Sequence, residues 1–241
     1  MMNSPSYCYK FYWLESIVQL ISADKVAVTY DEVINKMISN AWYPVLEYHI
    51  HLSGIYGDVA MKDNLEKAVL ALHELSLLEN NAFEVEIINK LNELSEDKDL
   101  KKYKNELTKN VPYKSLSGFA NKGVEKIDLD SSATRMMDYY NRLNENEILL
   151  PYTFNYDNGL KRVITFNADW LQMIQDNTTN ILGWIHLEKA KLLQNNNPEV
   201  QGIVYKLTSS DEKSANLKMP EICGMKYLKS NPSLMYSKMK L

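Results

Sequence analysis

ILLPYTFNYDNGLKRVITFN, residues 148–167, holds two runs of β-forming residues around Asn158-Gly159. An Asn-Gly pair readily takes the positive φ that a tight hairpin turn needs, so the stretch reads as a β-hairpin. That reading separates a mixed fold from a purely helical one. Upstream lies DSSATRMMDYYNRL, residues 130–143. Ser131 or Ser132 can cap a helix there, and Ala133, Met136, Met137, Tyr140 and Leu143 recur at helical spacing. Downstream, Asn167 can cap ADWLQMIQDN, and Thr178 or Thr179 can start another helix through NILGWIHLEKAKLL. A helix followed by a hairpin is the order of winged-helix modules. In such a module Arg135 and Arg142 on the helix, with Lys161 and Arg162 on the hairpin, are the candidate phosphate contacts. The plainer reading is a helix packed on a hairpin for stability alone.

The rest of the chain is helical in pattern. Phe11, Leu14, Ile17, Val18 and Ile21 share one face of a helix over 10–22. Thr29 with Glu32 three residues on is a capping-box signature, opening a helix lined by Val33, Met37, Ile38 and Trp42. Pro44 suits the first turn of a further helix running towards His51. Leu65, Ala68, Val69, Leu72, Leu75 and Leu78 predict a helix over 59–80. Phe83, Ile87, Leu91 and Leu94 repeat the pattern, and SEDKDLKKYKNEL reads as a solvated helix with a thin apolar edge. Pro112, Gly118 and Gly123 break the periodicity, so a module boundary falls near 111–127. The expected division is a helical region over 1–110, a helix, hairpin and helices over 111–200, and a basic divergent tail over 201–241. The fold class is mainly α (α+β): a multi-helix bundle with a β-hairpin in its C-terminal half, winged-helix-like in order.

Bulk properties fit one large or two small globular domains. The 241 residues are 45% hydrophobic and 24% charged, enough for a sizeable core. Eight glycines and seven prolines are too few for an all-β chain with many turns. Residues 1–200 carry 20 Lys/Arg against 28 Asp/Glu, whereas residues 201–241 carry seven Lys against three acids. A body at −8 is not the footprint of a dedicated nucleic-acid binder. Cys8 and Cys223 form neither a disulfide framework nor a zinc pattern, and a reducing cytoplasm is the expected setting. No apolar stretch approaches a membrane span, so membrane is excluded from the expected partners.

Constellations that carry chemistry are sparse. Five aromatics fall between Tyr7 and Trp13, a pattern that can stack bases. Only Lys10 supplies charge there and an apolar helix follows, so core packing is the better reading. On the expected helix His49 and His51 point about 200° apart and cannot share a metal. His73 and His186 read as ordinary side chains. Glu96-Asp97-Lys98 and Asp211-Glu212-Lys213 match half of a magnesium-nuclease motif, but both lie in polar, non-strand surroundings. The chain has no phosphate loop, dinucleotide fingerprint or nucleophile elbow. The sequence assigns no catalytic and no metal residue.

SPSYCYKFYWLESIVQLI (4–21), ISNAWYPVLEYHI (38–50), LLPYTFN (149–155) and ITFNADWLQMIQDNTTNILGWIHLEKAKLLQNNNPEV (164–200) together carry a resemblance. They resemble the N-terminal region of a bacterial family of HNH-endonuclease-domain proteins. The likeness covers roughly residues 4–215. It implies a helical region ahead of a C-terminal nuclease domain that binds one divalent metal and uses His to activate water. That domain's D-H-x-x-P-x-S motif occurs nowhere in this sequence, and none of the four histidines can inherit its role. The resemblance therefore implies a truncated or divergent short member, from a frameshift or early stop, without its nuclease motif and without a cofactor of its own. The expected function is a non-catalytic accessory region that positions DNA or a partner, in a restriction, phage-defence or mobile-element setting. The alternative is a helical protein–protein interaction module, a homodimer included, that does not bind nucleic acid. The aromatic opening then reads as the start of the first helix.

Overall fold

Leu14, Ile17 and Val18 begin the explanation of the fold, because they sit on a helix with almost no solvent face. The computed structural model describes residues 8–208 except 54, 57, 58, 61 and 147. Helix α1 (Tyr9–Ser22) is buried continuously from Phe11 to Val18 and again at Ile21. The sequence shows one apolar stripe, but Tyr12, Trp13, Glu15 and Ser16 are buried as well. A helix covered all round belongs to the centre of a bundle. Helix α2 (Tyr30–Leu46) and the long helix α8 (Ala168–Asn196) provide its principal cover.

A short strand β1 (Ala27–Thr29) leads into α2. The predicted capping box forms there: Glu32 N donates to Thr29 Oγ1 at 3.1 Å, and Thr29 N donates to Glu32 Oε2 at 2.8 Å. Pro44 does not open a new helix. It lies in the last turns of α2, where its ring is buried and a single backbone hydrogen bond is forgone. The chain leaves α2 through a bend with His49 at φ 52, so His49 and His51 stand in a connection and not on a helix.

A two-residue pairing of β2 (Ile55–Tyr56) with β3 (Val59–Ala60) precedes helix α3 (Asn64–Ser76). Asp63 caps α3 through Glu66 N at 2.8 Å, and Leu77 ends it in the left-handed region at φ 57. The helix is thus shorter than the 59–80 span, and Leu75 stays outside the core. Helices α4 (Glu84–Glu93) and α5 (Lys98–Thr108) follow, with Asp97 capping α5. Helix α5 is less solvated than its charge suggests. Leu100, Leu107 and Lys104 are buried, and Lys104 pairs with Asp31 of α2. A one-turn helix α6 (Val111–Lys114) starts the region of the expected boundary.

Helix α7 (Ala133–Asn146) and the hairpin of β4 (Tyr152–Phe154) and β5 (Val163–Phe166) form as the sequence predicts. Gly159, at φ 58, enters a 3-10 turn over Gly159–Lys161. The sheet order is β1-β5-β4, all antiparallel, so the second hairpin strand is central and pairs Ile164 with Val28. Helix α8 then runs unbroken through Thr178 and Thr179. Thr178 caps nothing, because its hydroxyl donates back to the Ile174 carbonyl at 2.8 Å. A short helix α9 (Ile203–Thr208) folds back on α8. The architecture is mainly helical with a small antiparallel sheet, and no helix among the described residues is long and apolar enough to cross a membrane.

Candidate functional site

Trp13 shows what the aromatic opening does. Its ring meets Tyr30 edge-on at 5.8 Å, and its Nε1 donates to Tyr152 Oη at 3.1 Å. Tyr152 Oη in turn donates to the Pro112 carbonyl at 2.8 Å. Phe11, Tyr12 and Trp13 are all buried, so these aromatics are core and not a stacking platform.

The four candidate phosphate contacts have different surroundings. Arg135 is exposed on α7. Arg142 lies two turns further along, half exposed, with its guanidinium forked onto Glu125 at 2.8 and 3.0 Å. Arg162 is anchored inward: it bonds Tyr113 Oη, donates to the Asp157 carbonyl at 2.7 Å and stacks 5.8 Å from the Tyr30 ring centroid. Lys161 is exposed beside it in the hairpin turn. Its field reaches Glu96, whose carboxyl is held below the ordinary range first by its Lys101 hydrogen bond. Glu96-Asp97-Lys98 is the junction that caps α5, and Asp211-Glu212-Lys213 lies outside the described residues.

The histidines do not converge. His51 Nδ1 meets Glu66 Oε1 at 2.9 Å, while Asn197 holds the His51 backbone from both sides, at 2.8 and 2.9 Å. His73 stands edge-on to Trp42 at 5.6 Å. His186 Nε2 meets Glu15 Oε1 at 2.7 Å. Among the described residues no three His, Cys, Asp or Glu side chains are placed to hold a metal ion.

A buried charged cluster between α1 and α8 is the feature that periodicity does not reveal. Glu15, only 2% exposed, takes His186 on one carboxylate oxygen and Lys189 on the other. Lys189 Nζ also sits 4.4 Å from the centroid of the Tyr12 ring. Burial pushes the Glu15 carboxyl up, but Lys189 and His186 outweigh it and hold it down to about 2. Burial pushes the Cys8 thiol and the Tyr12 hydroxyl far above their usual ranges, so neither is a ready nucleophile. Burial also raises the Asp63 carboxyl to about 6, against the α3 amides that it caps. The cluster is built to clamp two helices. The only hint of it in sequence is one acid, Glu15, inside an apolar run, with a His and a Lys one turn apart on α8.

Beside this clamp the α1–α8 seam opens into an apolar groove of ≈ 330 Å³. Leu14, Phe119, Trp170, Met173, Ile181 and Trp184 are among its walls, with Met173 39% and Trp184 46% exposed. No protein-family model matches the chain, and no curated protein or solved structure matches it either.

Proposed function

We propose that this chain is a non-catalytic positioning region of an HNH-type endonuclease, working in the cytoplasm. It holds DNA or a protein partner for chemistry that its own residues do not perform. The resemblance over residues 4–215 motivates the reading. The observation that carries it is the employment of the histidines. His51 meets Glu66, His186 meets Glu15 and His73 packs on Trp42, which supports a packing role for these imidazoles. A nicking assay on supercoiled DNA with magnesium or manganese tests it. The expected result is no chelator-sensitive cleavage, and robust cleavage by pure protein would end the proposal.

DNA contact rests on Arg135 and Lys161, with Arg142 and Arg162 available once their protein partners release them. Replacing Lys161 and Arg162 by Ala should reduce the salt slope of DNA binding by about 2, near 0.9 for each phosphate no longer neutralised. An unchanged slope removes these residues from the interface. The second reading is a helical protein-interaction module. Two observations favour it: Arg142 and Arg162 are already engaged, and residues 1–200 are strongly acidic. That reading predicts no DNA affinity at moderate salt.

A further inference from the structure

Leu77 ends α3 in the left-handed region, at φ 57 and ψ 22, where its N–H donates back to the His73 carbonyl at 3.3 Å. Glycine is the usual residue at such a helix end, because a Cβ there crowds the backbone. Little packing within the chain offsets that strain, since Leu77 is 88% exposed. Phe83, the N-cap of α4, is 57% exposed. Both side chains line a pocket of ≈ 360 Å³ between the end of α3 and the start of α4. Leu78 and Ala82 complete its apolar surface, and Glu79 and Glu86, both exposed, supply its charge. Among the described residues no Lys, Arg or His lines it. Lys36 of α2 and Lys90 of α4 are each already paired on α4, with Glu84 and Glu93. The pocket is also preformed. Trp42 Nε1 donates to the Glu79 carbonyl at 3.1 Å, Ala82 N donates to the same carbonyl at 3.0 Å, and Phe83 N donates to Glu86 Oε2 at 2.8 Å. Little ordering is left for an occupant to impose.

We propose that this pocket between α3 and α4 is a docking site for a basic, amphipathic segment of a protein partner. Charge complementarity selects the occupant. Glu79 and Glu86 repel a nucleic-acid backbone. A second copy presenting the same face would set these two carboxylates against their own kind. A protein segment with an apolar side chain to pack on Leu77 and Phe83, and Lys or Arg beside it, satisfies both halves of the lining. A basic amphipathic helix presents that arrangement. The proposal uses neither the family resemblance nor Arg135, Arg142, Lys161 and Arg162. Its readout is separate from nicking and from DNA binding, so it can fail without them and they without it.

The test titrates the full chain into a fluorescein-labelled peptide of Leu and Lys, with Leu at i, i+3 and i+4 spacing, and reads anisotropy. The expected result is saturable binding that weakens with salt and is absent for the same peptide with Glu in place of Lys. Leu77→Gly removes the exposed side chain and supplies the residue that the left-handed position prefers. Its denaturation midpoint should equal or exceed the parent's, while peptide affinity falls at least about tenfold, as losing one buried Leu contact implies. E79Q/E86Q keeps a capping-box acceptor at position 86 and should weaken binding about fivefold, with a flatter salt dependence. Affinity unchanged in L77G, equal binding of the Glu-containing peptide, or no saturable binding overturns the proposal. A lower midpoint in L77G makes Leu77 structural and also overturns it. Self-association by light scattering that L77G abolishes gives the pocket to a second copy instead.

Discussion

Glu15 shows what a single buried charge requires. Removing one member of a buried pair leaves the other uncompensated, so Glu15→Gln should cost about 3–5 kcal/mol in chemical denaturation. Adding Lys189→Met removes the stranded ammonium, and the double variant should recover much of that stability. The two perturbed carboxyls also act with opposite sign on pH. Glu15 is depressed from 4.5 to about 2, so the stability that it contributes is complete above pH 4.5 and is lost as pH falls towards 2. Asp63 is raised from 3.8 to about 6, so its ionisation subtracts stability progressively as pH climbs between those values. Asp63→Asn keeps a good helix cap and removes that ionisation. It should raise the denaturation midpoint relative to the parent at pH 8 and leave it nearly unchanged at pH 4. Glu15 stands out in sequence as an acid in an apolar helix. Its partners do not, because His186 and Lys189 are 171 and 174 residues away.

At the scale of elements, two helix starts were legible: Thr29 and Asn167 cap through local geometry, which a few adjacent residues determine. Thr29→Ala should therefore destabilise by about 1 kcal/mol, measured by urea denaturation. The caps Asp63 and Asp97 were not read, and the starts expected at Pro44 and Thr178-Thr179 do not form. Pro44 and the Thr178-Thr179 pair are local breakers that tertiary packing overrides. Pro44 stays helical because Val45 and Leu46 still have core to fill, and α8 continues because Leu182 and Ile185 must reach α1. The hairpin was legible from its two β-rich runs around Asn158-Gly159, although Asn158 stays extended and the connection closes through a 3-10 turn and not a tight Asn-Gly turn. Its pairing with β1 was not, since nothing local joins Val28 to Ile164 across 136 positions.

The whole molecule is knit by such long-range pairs. Strand β5 receives β1 from the first third of the chain, and α1 lies against α8 from the last. A fragment of residues 1–110 would leave Trp13 without Tyr152 and Glu15 without Lys189. It should therefore fail to hold α1, with helix content by circular dichroism below its share of the full chain and no near-ultraviolet tryptophan signal. A fragment with full native signals would show that region 1–110 is autonomous. The candidate DNA contacts belong to this scale as well. Their residue type could be read from sequence, but the partners Glu125 and Tyr113 that occupy Arg142 and Arg162 arrive only with the fold.

The burial of α1 on every side has a consequence for biosynthesis. Residues 9–22 leave the ribosome roughly 150 residues ahead of their cover in residues 168–196. At about 5–20 residues per second, the aromatic opening waits on the order of ten to thirty seconds for its partner. Throughout that interval α2 can shelter one side of it, but the side that α8 covers stays open, the kind of apolar surface that holding chaperones bind.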